Sequence, residues 1–255
     1  MLLGLAISSS MTLPCNPLIC ALDTTRILHA QTLVETVRPH VGAIKLGLEF
    51  FTANGAAGVR ALSDNTLPIF LDLKFHDIPN TVARAIAATA GIRTFMITVH
   101  TAGGRDMLRA AIDASDEIAL LTGQQRPLII GVTVLTSLDQ DDLGMTGIRD
   151  NVRDQVLRLA DLAQDSGLDG VVCSPYEISP LRRCCGKDFT LVVPGIRPAG
   201  SSENDQKRVM NPKEAVEKGA DFLVIGRPIT QAEHPETAAR MIREDILRVN
   251  RDASR

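Results

Sequence analysis

The chain has 255 residues and a mass of 27.5 kDa, with 45% hydrophobic residues and 27 basic against 30 acidic side chains, for a net charge of -3 and a pI near 6.0. That length admits two small domains or one closed α/β barrel, and the composition supports a large core. The slightly acidic balance argues against a nucleic-acid or anionic-membrane surface and favours a small-molecule partner. Five cysteines (Cys15, Cys20, Cys173, Cys184, Cys185) are an odd number without C-x-x-C spacing, so neither a zinc site nor a redox pair is expected. Apolar residues 2 to 7 follow no basic residue and are too few to span a membrane, which predicts a cytoplasmic protein carrying an N-terminal extension over residues 1–16.

Short apolar runs recur along the chain at 18–22, 41–46, 67–73, 94–99, 128–134, 169–173, 190–193 and 221–225, which predicts eight strands. Several are continuous, such as Leu128 to Val134, as parallel strands buried on both faces require. The segments between them show helical spacing, for example Val152, Val156, Leu159, Leu162 and Ala163. Asn80 or Thr81 can cap the helix that follows Pro79, and Gly91, Gly167 and Gly219 stand where helices should end. With no linker or low-complexity tract, the pattern predicts an α/β fold, a single (β/α)8 TIM barrel over 17–245 followed by a tail at 246–255. A doubly wound open sheet shares the same alternation and is the runner-up.

In such a barrel the active site lies at the carboxyl ends of the strands. The polar residues there are Asp23, Lys45, Asp72 with Lys74, His100, Thr136-Ser137, Ser174, Pro194-Gly195-Ile196-Arg197 and Gly226-Arg227. Asp72 and Lys74 are two apart and share a strand face, and buried ions must pair because isolating them is costly. Lys45 sits in a buried strand and needs a partner as well. Asp23 also fits a helix cap, and His100 and Ser174 fit structural roles. Arg227 after Gly226, with Arg197 one strand earlier, suggests a phosphate end, covered by the polar loop Ala199 to Lys207 as a lid.

These residues resemble the bacterial orotidine 5′-phosphate decarboxylase family from about Pro17 to the helix near Met241. Asp72-x-Lys74-x-x-Asp77 is shared with related sugar-phosphate decarboxylases and aldolases. Its extension Ile78-Pro79-Asn80-Thr81, with Pro194 to Pro198 and Gly226 to Thr230, is specific to the decarboxylases. The resemblance implies a cofactor-free and metal-free decarboxylation of orotidine 5′-monophosphate, with Lys74 as proton donor in a network of Lys45, Asp72, Lys74 and Asp77. It further implies that Asp23, Lys45 and Thr81 hold the ribose, that Thr136 reads the pyrimidine, that Arg197, Gln206, Gly226 and Arg227 serve the phosphate end, and that Pro194 is a further substrate-binding residue. A homodimer is implied, with Asp77, Ile78 and Thr81 reaching the partner's site. Residues 1–16 and Pro175-Tyr176 depart from the family pattern without touching the charged residues.

Removal of CO2 from C6 of a pyrimidine leaves a carbanion with no conventional electron sink, so stabilisation must be electrostatic. Three other readings use the same residues. Lys74 as a Schiff-base nucleophile needs a neutral amine, which flanking carboxylates oppose. A magnesium-dependent sugar-phosphate decarboxylase or aldolase would use the carboxylates as ligands. A barrel that merely binds nucleotides would gain little from a buried charge array.

Overall fold

The computed structural model describes residues 14, 16–63, 67–92, 94–198 and 210–252. Eight strands, β1 (Leu18–Ala21), β2 (Ala43–Gly47), β3 (Ile69–Phe75), β4 (Thr94–His100), β5 (Leu128–Val132), β6 (Gly170–Val172), β7 (Thr190–Val193) and β8 (Phe222–Ile225), alternate with helices. The helices are α1 (Ile27–Val37), α2 (Leu48–Ser63), α3 (Pro79–Ala87), α4 (Arg105–Thr122), α5 (Gln140–Met145), α6 (Val152–Asp165), α7 (Ile178–Cys185), α8 (Pro212–Glu217), α9 (Arg227–Thr230) and α10 (Pro235–Asp252). All strand pairs are parallel, and β8 returns to β1 to close the sheet. The open-sheet alternative is thereby excluded, and the (β/α)8 barrel stands.

Two apolar layers follow from strand alternation. One set of side chains faces the helices and forms the larger core, with Leu18, Cys20, Ile44, Leu46, Leu71 and Ile97 among its fully buried members. The other set fills the barrel interior: Ile19 and Ala21, Ala43, Phe70, Met96, Leu128 and Ile130, Val192, Phe222 and Val224. Phe95 and Phe222 meet edge to face, with ring centroids 5.6 Å apart. The interior is a packed core, so the interior-facing positions beyond it open only at the mouth.

The amino end of the barrel is closed by a repeated device. Gly167 and Gly219, both at positive φ, end a helix and lead into Asp169 and Asp221. Asp169 accepts the N–H of Ile129 at 2.7 Å and is forked by Arg126 at 2.9 and 2.5 Å. Asp221 accepts the N–H of Leu191 at 2.7 Å and pairs with Arg182. Each carboxylate therefore satisfies the start of one strand while its arginine holds a neighbouring element.

Several expectations are corrected. The helix after Asp77 begins at Pro79 with Ile78 in the cap position and no side-chain cap, so neither Asn80 nor Thr81 caps it. Proline has a preset φ and no N–H to satisfy, which suits it to the first helical position. Gly91 lies beyond the end of α3 and is not at positive φ. The boundary expected at 245 falls inside α10, which runs on to Asp252 with Ile246 and Val249 buried in the helix layer. Strand β2 starts two residues late, β5 ends two residues early and β3 is shifted by two at both ends from the apolar runs that predict them, because the hydrogen-bonded ladder and not hydropathy sets their limits. Residues 1–13, Gln206 and the rest of the 199–209 loop lie outside the described residues.

Because Ile246 is fully buried, Ile246→Ala is expected to cost about 2–4 kcal/mol of stability. A urea titration of the two proteins checks it. A cost within error of zero would restore the reading of residues 246–255 as a dispensable tail.

Candidate active site at the carboxyl ends of the strands

Along three neighbouring strands the interior-facing series changes from apolar to polar after one more step of two residues. Ala43 is followed by Lys45 on β2, Phe70 by Asp72 on β3, and Met96 by Thr98 on β4. The strands are in register side by side, with Lys45 opposite Phe70 and Gly47 opposite Asp72. This places the polar groups in one layer directly above the packed core.

Asp72 is the centre of that layer. The Lys74 ammonium lies 2.9 Å from both of its carboxylate oxygens. Lys45 approaches from the other side, at 3.3 Å from Oδ2, and is itself 3.7 Å from Asp23 Oδ1. The Thr98 hydroxyl donates to Asp72 Oδ1 at 3.0 Å. Burial pushes the Asp72 carboxyl up, but Lys45 and Lys74, with the hydrogen bonds from Lys74 and Thr98, outweigh it and hold the group below the usual carboxylate range. The structure therefore brings together Asp23, Lys45, Asp72 and Lys74 as an alternating array.

Asp77 stands apart from this array within the chain, as its expected role in a partner's site requires. It is exposed, and its Oδ1 accepts the N–H of Ile78 at 2.7 Å. The cause is local: the chain leaves β3 at Phe75 and turns into α3, which carries Asp77, Ile78 and Thr81 out to the exposed rim. Ile78 is 67% exposed, a large apolar side chain standing in solvent.

A cavity of about 160 Å³ opens beside the array, lined by Lys45, Phe70, Asp72 and Lys74 on one side and by Val132, Val134, Leu135, Thr136, Val172, Val192, Pro194 and Val224 on the others. Its walls are apolar and its one charged side is the lysine and aspartate array, so it suits the reacting end of a ligand. Pockets that take a whole drug-sized ligand are roughly 300 Å³ or more, so the remainder would lie across the mouth. There, Gly226 ends β8 close to Asp23: a Cβ at Gly226 would sit 3.6 Å from Asp23 Oδ2 and 3.4 Å from the Ala21 Cβ. Arg227 opens the short helix α9 immediately after it. Arg197 follows β7, and its N–H donates to the Met210 carbonyl at 3.0 Å, joining the two ends of the 199–209 loop. Thr136 and Pro194 are thus in the cavity wall, while Arg197, Gly226 and Arg227 follow β7 and β8 at the same end of the barrel.

Three contributors, Thr98, Gly47 and His76, were not singled out from sequence. Thr98 is a hydroxyl in an otherwise apolar run, and its spacing of two from Met96 is the only signal that marks it. Gly47 leaves room for the Lys45 ammonium, because a Cβ there would lie 3.0 Å from Nζ. The His76 and His100 rings meet at a 37° tilt with centroids 5.4 Å apart, and burial, with His76 and Lys74 adding to it, holds His100 below the ordinary imidazole value. The buried cysteines are poor nucleophiles: Cys20 is pushed up to about 12 by burial and by Asp23, and burial raises Cys173 well above the ordinary thiol. Among the described residues there is no helix long and apolar enough to cross a membrane.

A closed parallel barrel with an ammonium and carboxylate array above its core belongs to the (β/α)8 enzymes, whose chemistry is done at this end. Comparison with known proteins makes this specific. The model of the orotidine 5′-phosphate decarboxylase / HUMPS family matches residues 16–242. Orotidine 5′-phosphate decarboxylase of Rhodospirillum rubrum is 54% identical over 233 residues, covering 91% of this chain and 94% of that protein. That of Paramagnetospirillum magneticum is 52% identical over 231 residues, covering 91% and 98%. The crystal structure of orotidine 5′-phosphate decarboxylase from Lactobacillus acidophilus superimposes with a TM-score of 0.81 at 37% identity, covering 91% of this chain and 99% of that one. The chain belongs to the orotidine 5′-phosphate decarboxylase / HUMPS family and is a carboxy-lyase.

Two outcomes follow from the array. Gly47→Ala is expected to displace the Lys45 ammonium by a few tenths of an ångström and so to lower kcat/KM several-fold with little change in Tm, as steady-state kinetics and a thermal melt would show. Asp72 has a depressed pKa in the folded state, so its contribution to stability is full above about pH 4 and is lost as pH falls through the folded value. The stability gap between wild type and Asp72→Asn, read from urea midpoints, is expected to narrow below that pH.

Proposed function

We propose that this protein decarboxylates orotidine 5′-monophosphate to uridine 5′-monophosphate and CO2 without a cofactor, with Lys74 as the proton donor. The observation that carries this reading is the Lys74 ammonium held at 2.9 Å from both oxygens of a buried carboxylate, in the wall of an otherwise apolar cavity. The C6–carboxylate bond breaks, the carboxylate leaves as CO2, and its bonding electron pair stays on C6. Lys74 then delivers a proton to C6, and the resulting amine recovers one from solvent.

The magnitudes show how much the array can supply. One ammonium about 4 Å from the developing charge contributes on the order of 4 kcal/mol at an effective dielectric near 20, or roughly three decades of rate. The rest must come from binding energy gathered at the ribose and phosphate and used to fix the base against Lys74. In this reading Asp23, Lys45 and Thr81 hold the ribose, Thr136 reads the pyrimidine with Pro194 beside it in the cavity wall, and Arg197, Gln206, Gly226 and Arg227 serve the phosphate. The position of Asp77, Ile78 and Thr81 on the exposed rim supports a homodimer in which they complete a partner's site.

The donor set bears on the magnesium-dependent alternative. Magnesium takes oxygen ligands at about 2.0–2.1 Å in near-octahedral geometry. Here the buried Asp72 carboxylate is already bracketed by two ammonium groups at 2.9 to 3.3 Å, so its charge is compensated and its oxygens are occupied. That arrangement suits an electrostatic site and not an ion cage.

A spectrophotometric assay with orotidine 5′-monophosphate in the presence of EDTA tests substrate, reaction and metal independence together; turnover abolished by EDTA would favour the alternative. In the same assay Lys74→Ala is expected to bind the product nucleotide and to lose at least about three decades of turnover. Substantial residual turnover would remove Lys74 from the role of proton donor.

A further inference from the structure

We propose that Thr98 is a positioning residue, whose single hydroxyl sets both the carboxylate of Asp72 and the backbone of Lys74; the proposal rests on the decarboxylase reading of this site. The argument begins with a mismatch between two strands. Against β4, Leu71 of β3 pairs with Ile97, but the next pair is Phe75 with Val99. Residues 72 to 74 therefore stand opposite Thr98 alone, an excess of two residues on β3 at the point where the charged side chains emerge.

Within that bulge Lys74 adopts φ +53, and among the described residues it is the only non-glycine at positive φ. A left-handed conformation is disfavoured for a residue with a Cβ and persists only where surrounding contacts hold it. It lets the chain place Asp72 and Lys74 together around the same cavity, although the ladder between them and β4 is broken. The broken ladder leaves the Lys74 N–H without a β4 carbonyl in register. The Thr98 hydroxyl replaces that carbonyl, accepting from Lys74 N at 2.9 Å.

The direction of the remaining bond follows. An oxygen that accepts from a backbone N–H has its own proton to give, and Thr98 gives it to Asp72 Oδ1 at 3.0 Å. Thr98 is fully buried, so no solvent competes for either bond. Such a chain, N–H to hydroxyl to carboxylate, polarises along its length and strengthens both links. The same Oδ1 then accepts the Lys74 ammonium at 2.9 Å, so backbone and side chain of one lysine are tied to the same carboxylate through a closed circuit. Thr98 itself lies behind Asp72 and does not line the cavity.

The test pairs two variants with the proton-donor variant. Thr98→Val keeps the β-branched shape and removes both bonds, whereas Thr98→Ser keeps the hydroxyl. Thr98→Val is expected to lower kcat about 10- to 100-fold through misplacement of Lys74, with product-nucleotide affinity held within about threefold. The acid limb of its kcat profile should move to higher pH, because Asp72 has lost a hydrogen bond to its ionised form. Thr98→Ser should recover kcat to within about threefold of wild type, which general damage to folding would not permit. The proposal is overturned if Thr98→Val keeps near-wild-type kcat, or if both variants lose kcat and nucleotide affinity together. If the wild type turns over substrate and Lys74→Ala does not while Thr98→Val is unimpaired, the function stands and only the positioning role falls. A wild type without turnover overturns the functional reading first.

Discussion

A buried carboxylate bracketed by two ammonium groups is the constraint on which the rest of this structure depends. Asp72 could not be ionised at the mouth of an apolar barrel alone, since desolvation raises its pKa. Lys45 and Lys74 make it tolerable, and each lysine in turn is tolerable there because of Asp72. Neither lysine comes from the same part of the chain surface: one is carried by β2 and the other by the end of β3. The barrel exists, from the site's point of view, to hold adjacent strands in a register that makes this meeting inevitable. The same constraint gives Gly47 its place, because a Cβ there would lie 3.0 Å from the Lys45 ammonium and crowd it.

The division of labour between the two ends of the barrel is physical. At the amino end, Asp169 and Asp221 satisfy strand N–H groups and are locked by Arg126 and Arg182. These pairs are engaged with the fold, tying strand starts to neighbouring elements. At the carboxyl end the charges are paired with each other but border an apolar cavity, and Lys74 retains 28% side-chain exposure. Charge that closes the fold and charge that can face a substrate are thus kept at opposite ends of the same strands.

Much of the fold was legible because alternating apolar runs and amphipathic segments report burial directly. The strands near 18–22, 190–193 and 221–225 lie within one residue of their predicted limits at each end. The β3 end was not legible, because the residues that matter there leave the regular ladder. Two-residue spacing correctly put Asp72 and Lys74 on one side, but for an incomplete reason: a bulge and a positive φ at Lys74, not a regular strand, bring them together. Asp77 was assigned to the network by the family resemblance, through a partner's site, and within the chain the turn into α3 leaves it on the exposed rim.

By itself, the sequence determined the class of fold, the end of the barrel that carries chemistry, and the residue types of the charge array, since buried ions in strand runs admit few explanations other than mutual pairing. The motifs that resemble the family also carried its identity, and the relatives bear this out. Tertiary structure alone decided that Asp23 closes the array, that Gly47 gives it room, and that Thr98 ties it to β4. The reason is the same in each case. These are relations between groups on different strands, fixed by register and by a local break in hydrogen bonding, and neither leaves a periodic trace in the chain.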